Sequence, residues 1–270
     1  MSAFVNHFAF EFRTGIRNRN LLLLYYLFPL ALYAFMGLLM VELNPFFGET
    51  LIPAMIIVTM LASMILGLPD PLVSAREAGI YRSYKINGVP ASSILIIPAL
   101  TTILHTTIVS IIILLTAPIF FDSPIPSNWG GFALVYLFSV VAFAGLGVLI
   151  GVISSSTRMT VLWSQLIFLP SMMIGGLMIP LSMLPDALSR ISLLLPSTHS
   201  MNAFVQLGYN LTTDVIASAS LFILFSGGII AFVLALFLFS WDSQNSTRRG
   251  HVLLAALAIL PYLLGMILLG

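Results

Sequence analysis

The sequence contains no cysteine and very little charge, and these two shortages exclude several classes of protein. Without cysteine, the 270-residue chain can form neither a disulfide framework nor a thiolate metal site. Charged residues make up 7% of the chain and hydrophobic residues 60%, with a mean hydropathy of +1.11, which leaves almost no material for a soluble domain. The formal net charge of +1 is too small to indicate binding to nucleic acid. We therefore expect no nucleic-acid partner.

Motifs for enzyme chemistry are missing from the sequence as well. It contains no H-E-x-x-H and no G-x-S-x-G pattern. The single lysine, Lys85, is followed by Ile86 and has no glycine directly before it. It therefore cannot belong to a P-loop, in which glycine amides surround the phosphates and the lysine reaches the terminal ones. We expect no catalytic residue, no metal site and no cofactor in this chain, which cannot be a Walker-type ATPase by itself.

Long apolar stretches make up most of the chain. Each is about 18 to 28 residues long, enough at about 1.5 Å per residue to cross a hydrocarbon core of about 30 Å. Lipid offers the backbone no hydrogen-bond partners, so stretches of this kind must be helices. The sequence therefore predicts an all-α integral membrane protein, a polytopic helical bundle. The predicted spans are residues 21–41, 51–68, 94–121, 130–153, 161–183, 215–241 and 251–270.

The distribution of charge predicts the orientation of this bundle. All but one of the ten basic residues lie in alternate connections, and the exception is Arg190. Cytoplasmic connections are enriched in Lys and Arg, which places the N-terminus in the cytoplasm and, after a seventh span, the C-terminus outside the cell membrane. The acidic residues expected outside are Glu42, Glu49, Asp122, Asp186 and Asp214.

A charged segment, residues 70–90, joins the second and third predicted spans on the cytoplasmic side. Ser74 and Glu77 have the spacing of a capping box, and Gly88 and Pro90 would end the element. We expect a short charged helix against the membrane. The alternative is a solvated loop that only orients the protein.

Two sequence patterns resemble one family of membrane proteins. S-A-R-E-A-G-I-Y-R-S-Y-K-I-N-G-V-P at 74–90 is similar to the cytoplasmic segment after the second span of type 2 ATP-binding-cassette export permeases, the drug and polysaccharide exporter class. G-G-L-M-I-P-L-S-M-L-P-D-A-L at 175–188, with Leu195-Pro196 after it, resembles the outer end of that family's fifth span. The resemblance covers residues 1 to about 241 and does not identify the substrate.

This resemblance implies particular partners and contacts. The segment 70–90 would be a coupling helix that docks on a separate ATP-binding-cassette ATPase subunit, which would carry the ATP and Mg²⁺. A second copy of the permease, or a paralogue, would complete a dimer. The residues expected in or beside the ATPase contact are Arg76, Glu77, Gly79, Arg82 and Lys85.

The resemblance also implies a cytoplasmic amphipathic helix over residues 1–20. Phe4, Val5, Phe8 and Phe12 recur at three to four residues, as such a helix at a lipid surface requires.

Residues 184–207 are apolar and expected outside, yet too short to cross the bilayer. They should dip into it and return as short re-entrant helices, as the short outer helices of the family do.

The end of the chain departs from the six-span pattern of the family. Residues 251–270 contain no Asp, Glu, Lys or Arg and predict a seventh span. The competing interpretation is a tail helix that enters the membrane and returns.

Three further features have both a functional and a structural interpretation. Methionines and glycines in the fifth predicted span could line a path for amphiphiles, because thioethers adapt to varied apolar shapes, or could be ordinary membrane filler. These residues are Met172, Met173, Gly175, Gly176 and Met178.

His105, inside the third span, could relay protons or could simply be hydrogen-bonded within the bundle. The small-residue face of Gly145, Gly147 and Gly151 could pack within the chain or against a second copy.

Together these features predict a permease subunit of an ATP-driven exporter that moves an amphiphilic substrate, such as a drug, a lipid-like molecule or a glycan. The alternative is a secondary transporter or channel without an ATPase partner. A third class is a membrane-bound assembly or sensor protein.

Overall fold

The computed structural model describes residues 3–43, 45–213, 215–242 and 250–270. Regular structure within these residues is helical throughout, and they contain no strand. This confirms the predicted all-α fold. Asp214, Arg248 and Arg249, which contribute to the predicted orientation, lie outside the described residues.

Six helices in the described residues are long and apolar enough to cross a membrane, which makes the chain a multi-pass membrane protein. The second is the centre of the bundle, because 94% of its most apolar window is buried, compared with 22% to 67% for the others. The six candidate spans are Arg19–Met40, Phe47–Glu77, Ala91–Phe121, Trp129–Ile153, Ala217–Leu238 and Val252–Leu269.

The first two spans each change from α-helix to π-helix where they touch. The first consists of α2 (Arg19–Leu22), a π-helical stretch Leu23–Leu27 and α3 (Phe28–Leu43); the second consists of α4 (Pro45–Met60), a π-helical stretch Leu61–Gly67 and α5 (Pro69–Glu77). Gly67 lies against the ring of Tyr25, so close that a Cβ atom there would be 2.5 Å from the ring. The missing side chain of Gly67 therefore lets the two π-helical stretches meet.

Helices α7 (Ala91–Phe121) and α8 (Trp129–Ile153) pack on this centre, and α12 (Ala217–Leu238) packs mainly on α8. A Cβ atom at Gly145 would lie 2.3 Å from the carbonyl oxygen of Gly228 in α12. On the same helix, a Cβ atom at Gly147 would lie 2.0 Å from the carbonyl oxygen of Met64. Gly145 and Gly147 lie on nearly opposite sides of α8, since they are two residues apart, and each packs against a helix of its own chain, as the intrachain interpretation predicts.

Helix α9 (Thr157–Ile174) occupies the region of the predicted fifth span, 161–183, with different bounds. It begins earlier because the Ser156 side chain accepts a hydrogen bond from the Met159 amide, as helix-capping serines do. It ends earlier because Gly176 takes a left-handed conformation, with φ of 78°. Arg158 and Gln165 make α9 less apolar than the six candidate spans, so a fifth span here stays a prediction.

The predicted outer segment 184–207 contains two short helices, α10 (Asp186–Ser192) and α11 (Pro196–Ala203), and a π-helical stretch, Phe204–Gly208, continues α11. All eight residues of α11 are buried although five are polar. His199 in α11 donates from Nε2 to the Leu193 carbonyl oxygen at 2.8 Å, and its Nδ1 lies 3.3 Å from the Ser220 hydroxyl oxygen. Both helices are too short to cross a bilayer, and their predicted entry into it stays a prediction.

The C-terminal residues form a 3₁₀-helix, Val252–Ile259, followed by α13 (Leu260–Leu269). This pair packs on α12, and a Cβ atom at Gly265 would lie 3.4 Å from the His199 ring. At the end of the chain, a Cβ atom at Gly270 would lie 3.3 Å from Cγ of Arg190. The end of α13 is therefore beside the outer segment, although the seventh span itself stays a prediction.

Helix α1 (Ala3–Arg17) lies where the sequence predicts a connecting helix, and it packs on α7 through His105. The Phe12 and His105 rings stack with centroids 4.5 Å apart. His105 Nδ1 shares a 2.6 Å hydrogen bond with the Tyr26 hydroxyl in the first span. These contacts favour the structural interpretation of His105, because they join α1 to the first and third spans.

Candidate coupling interface and outer cavity

The charged segment 70–90 folds into two short helices rather than one. Helix α5 continues the second span, and α6 (Ile80–Ile86) follows Gly79, whose φ of 74° separates the two helices. The predicted capping box at Ser74 is wrong: Ser74 lies inside α5, which begins at Pro69 because proline is favoured in the first turn of a helix. The segment is therefore a direct extension of the most buried span.

Arg76, one of the predicted ATPase contacts, is 3% exposed and points into the protein. Its guanidinium donates hydrogen bonds to the carbonyl oxygens of Gly151 and Val152, at 3.4 and 2.9 Å, and to that of Ser154. These carbonyls lie at the C-terminal end of α8, where helical carbonyls lack partners within the helix. The structure thus makes Arg76 an internal link between the segment and α8 and does not place it at the surface.

Glu77 is exposed, and its carboxylate accepts a hydrogen bond of 3.4 Å from the Thr157 hydroxyl in the first turn of α9. Arg76 and Glu77 therefore connect α5 to both sides of the short connection between α8 and α9.

Helix α6 is attached to the end of α12. Arg82 forms an ion pair with Asp242 at 2.7 Å, and this hydrogen bond, together with the charge of Asp242, raises the pKa of Arg82. Beside the pair, the buried Tyr81 ring packs on Phe239 with centroids 5.6 Å apart. The ion pair is partly exposed and contributes little stability, so the aromatic contact is the stronger attachment.

The solvent face of α6 combines charge with exposed apolar side chains. Lys85 is exposed, and no partner for its ammonium group lies within the described parts of the chain. Ile86 is 85% exposed and Ile80 is 44% exposed. The sequence analysis did not single out either isoleucine. Exposed apolar side chains beside charged ones occur where a protein contacts a partner or lipid.

The five residues predicted to line a substrate path lie in different environments. Met172 is buried, Met173 is 67% exposed, and Gly175 packs against the Ser197 hydroxyl. Gly176 and Met178 do line a cavity. The other three of the five residues, Met172, Met173 and Gly175, do not line this cavity.

This cavity has a volume of about 1280 Å³. We call it the outer cavity because it lies beside the predicted outer segment, residues 184–207. Its walls come from the start of α4, the residues after α9, α10, the end of α11, the connection before α12 and the end of α13. The space is larger than a typical small-molecule pocket of about 300 to 1,000 Å³. It can therefore accommodate a ligand of amphiphile size.

Comparison with known proteins agrees with this architecture. The sequence model of the ABC-2 type transporter family matches residues 4–209, which covers all helices from α1 to α11. No curated protein and no solved structure matches the chain. The match spans more than half of the chain and is a transport permease domain rather than a nucleotide-binding domain. The chain belongs to the ABC-2 type transporter family, as a membrane-spanning permease.

Proposed function

We propose that the chain is the permease subunit of an ATP-driven exporter in the cytoplasmic membrane. A separate ATPase subunit would bind and hydrolyse ATP with Mg²⁺, and a second permease, identical or paralogous, would complete the transporter. Permeases of this family typically work with an ATPase partner. The substrate would be amphiphilic, such as a drug, a lipid-like molecule or a glycan.

The observation that carries this proposal is the way the segment 70–90 is attached. It continues the central span, reaches α8 and α9 through Arg76 and Glu77, and reaches α12 through Arg82. A force applied to α5 and α6 from the cytoplasm would therefore act on four helices at once. Transmission of this kind needs packed elements with two arrangements, which a permease driven from outside the membrane would use.

The contact with the ATPase is expected to depend on Ile86. Burying an isoleucine side chain at an interface contributes about 1.5 to 3 kcal/mol, so Ile86→Glu should weaken the complex by about tenfold or more. The measurement is the amount of ATPase that copurifies with tagged permease from membranes. Ile125→Glu is the matched control, because Ile125 is 55% exposed and lies in the connection between α7 and α8, on the opposite side in the predicted orientation.

Equal recovery of ATPase with Ile86→Glu and with Ile125→Glu would contradict the proposed contact. Absence of any ATPase from the unmodified complex would favour the alternative, a secondary transporter or channel.

The predicted orientation can be tested at two positions that the structure brings together. Because Gly270 lies beside Arg190, both are expected outside the cytoplasmic membrane. A cysteine in place of Arg190 should react with a membrane-impermeant maleimide in whole cells, and the chain's lack of native cysteine removes background labelling. A fluorescent protein that matures only in the cytoplasm, fused after Gly270, should stay dark. A bright fusion would rule out the seventh span. Labelling of position 190 from the cytoplasm would show that the chain after α9 has the opposite orientation to the predicted one.

A further inference from the structure

The outer cavity carries an unbalanced set of charges. Glu49, Asp186 and Arg190 line it, so two carboxylates face one guanidinium and the formal charge of the lining is negative at neutral pH. None of the three forms an ion pair within the described parts of the chain. These carboxylates therefore remain available to a cationic group that enters the cavity.

The rest of the lining is largely apolar and adaptable. Met178, Met183 and Met201 contribute three flexible thioether side chains from different parts of the fold. Methionine surfaces accommodate varied apolar shapes, as in promiscuous binding sites. An apolar body with a charged group is therefore better suited to this cavity than a fully polar solute.

A buried polar group also lies in the wall of this space. Asn202 lines the cavity and is 6% exposed, and its side-chain amide nitrogen is fully buried without a hydrogen-bond partner. A buried donor without a partner is destabilising by about 1 to 3 kcal/mol, and a turn of this amide toward an acceptor oxygen of a bound ligand would offset that cost. This is a second indication of a ligand, independent of the surface charges.

We infer that the outer cavity is a binding site for amphiphilic cations, so that the substrate class of the proposed exporter is cationic rather than anionic. The inference rests on the proposed function for its biological meaning, but the binding itself requires no ATP. The apolar body would lie against the three methionines, and the cationic group would lie near Glu49 and Asp186. Arg190 would disfavour that cation and is not required for its binding.

Tetraphenylphosphonium and tetraphenylborate are suitable probes, because they are nearly equal in size and opposite in charge. The cavity residue Ala187, which is exposed, is replaced by cysteine and labelled with an impermeant maleimide in lipid nanodiscs. Tetraphenylphosphonium should slow labelling of Ala187→Cys, and tetraphenylborate should not. Ser127→Cys is the control, because Ser127 is exposed in the connection between α7 and α8 and does not line the cavity.

Charge variants complete the test. Adding Glu49→Gln and Asp186→Asn should raise the half-protecting concentration of tetraphenylphosphonium by about tenfold, whereas Arg190→Gln should leave it unchanged or lower it. Equal protection by both ions would overturn the charge preference, and protection by neither would overturn the site. If tetraphenylphosphonium slowed labelling of Ser127→Cys equally, the protection would come from the ion in the lipid rather than from the cavity, and this result would also overturn the site. Because the assay uses the permease without ATP, its failure is distinguishable from a failure of ATPase coupling.

Discussion

Replacing Gly147 by alanine is expected to lower the free energy of unfolding by about 3 kcal/mol or more. The new Cβ atom would lie 2.0 Å from the carbonyl oxygen of Met64, far inside van der Waals contact. Both atoms belong to the backbone framework, so no side-chain rotation can relieve the overlap, and α8 must move away from the second span. Overpacking typically costs about 1 to 3 kcal/mol even where side chains can adjust.

Thermal unfolding of the purified permease in detergent measures this effect. With about 2 to 4 °C per kcal/mol for a chain of this size, the midpoint for Gly147→Ala should fall by about 6 °C or more. Gly130→Ala is the matched control at the start of the same helix, where the nearest atom to the new Cβ is Asn128 Oδ1 at an ordinary 3.5 Å. A midpoint for Gly147→Ala equal to that of Gly130→Ala would contradict the observed packing of α8 on the second span.

The sequence predicts the existence of α8 well, but it does not predict which helix α8 packs against. An apolar stretch of about 25 residues must be a helix in lipid, so α8 follows from composition alone. The glycine spacing on α8 indicates a close approach but does not identify the partner, because a backbone carbonyl of the second span carries no signal in its own sequence. The choice between intrachain packing and a dimer seam therefore needed the structure.

The bounds of α9 show a second limit of apolar patterning. Residues 161–183 are apolar enough to suggest one span, yet the helix is Thr157–Ile174. Local backbone chemistry determines both ends: Ser156 caps the first turn, and Gly175 and Gly176 allow the chain to leave the helix. Hydropathy averages over these residues, whereas capping depends on single side chains and dihedral angles.

The coupling segment illustrates the same limit for function. Charge and family resemblance both pointed to residues 70–90, and the structure places a helical extension of the central span there. Charge alone did not separate inward from outward side chains, so buried Arg76 was grouped with exposed Glu77 and Lys85, and Ile86 was overlooked. Arg76 and Glu77 point in different directions because neighbouring residues of a helix are about 100° apart around its axis. For Lys85 and Ile86 the break at Gly79 matters as well, because it changes the helical periodicity between α5 and α6.

This distinction between inward and outward residues leads to a different expectation for Arg76 than for Ile86. Arg76→Met should leave the amount of copurified ATPase nearly unchanged, because Arg76 does not reach the exposed face of α6. It should nevertheless reduce substrate-stimulated ATP hydrolysis by at least about tenfold, since the end of α8 would no longer be fixed to α5. Each buried carbonyl that loses its partner costs about 1 to 3 kcal/mol, so a lower thermal midpoint is expected as well.

Two comparisons separate loss of this link from general damage. Arg76→Lys should be intermediate, because an ammonium group cannot form the forked hydrogen bonds that a guanidinium makes to Gly151, Val152 and Ser154. Arg17→Met is the matched control, because Arg17 is exposed at the end of α1 and has no side-chain partner within the described parts of the chain. Full substrate stimulation in Arg76→Met would show that the segment 70–90 transmits movement to the membrane without its link to α8. Loss of ATPase from Arg76→Met, with a normal thermal midpoint, would instead place Arg76 in the subunit contact that the sequence predicted.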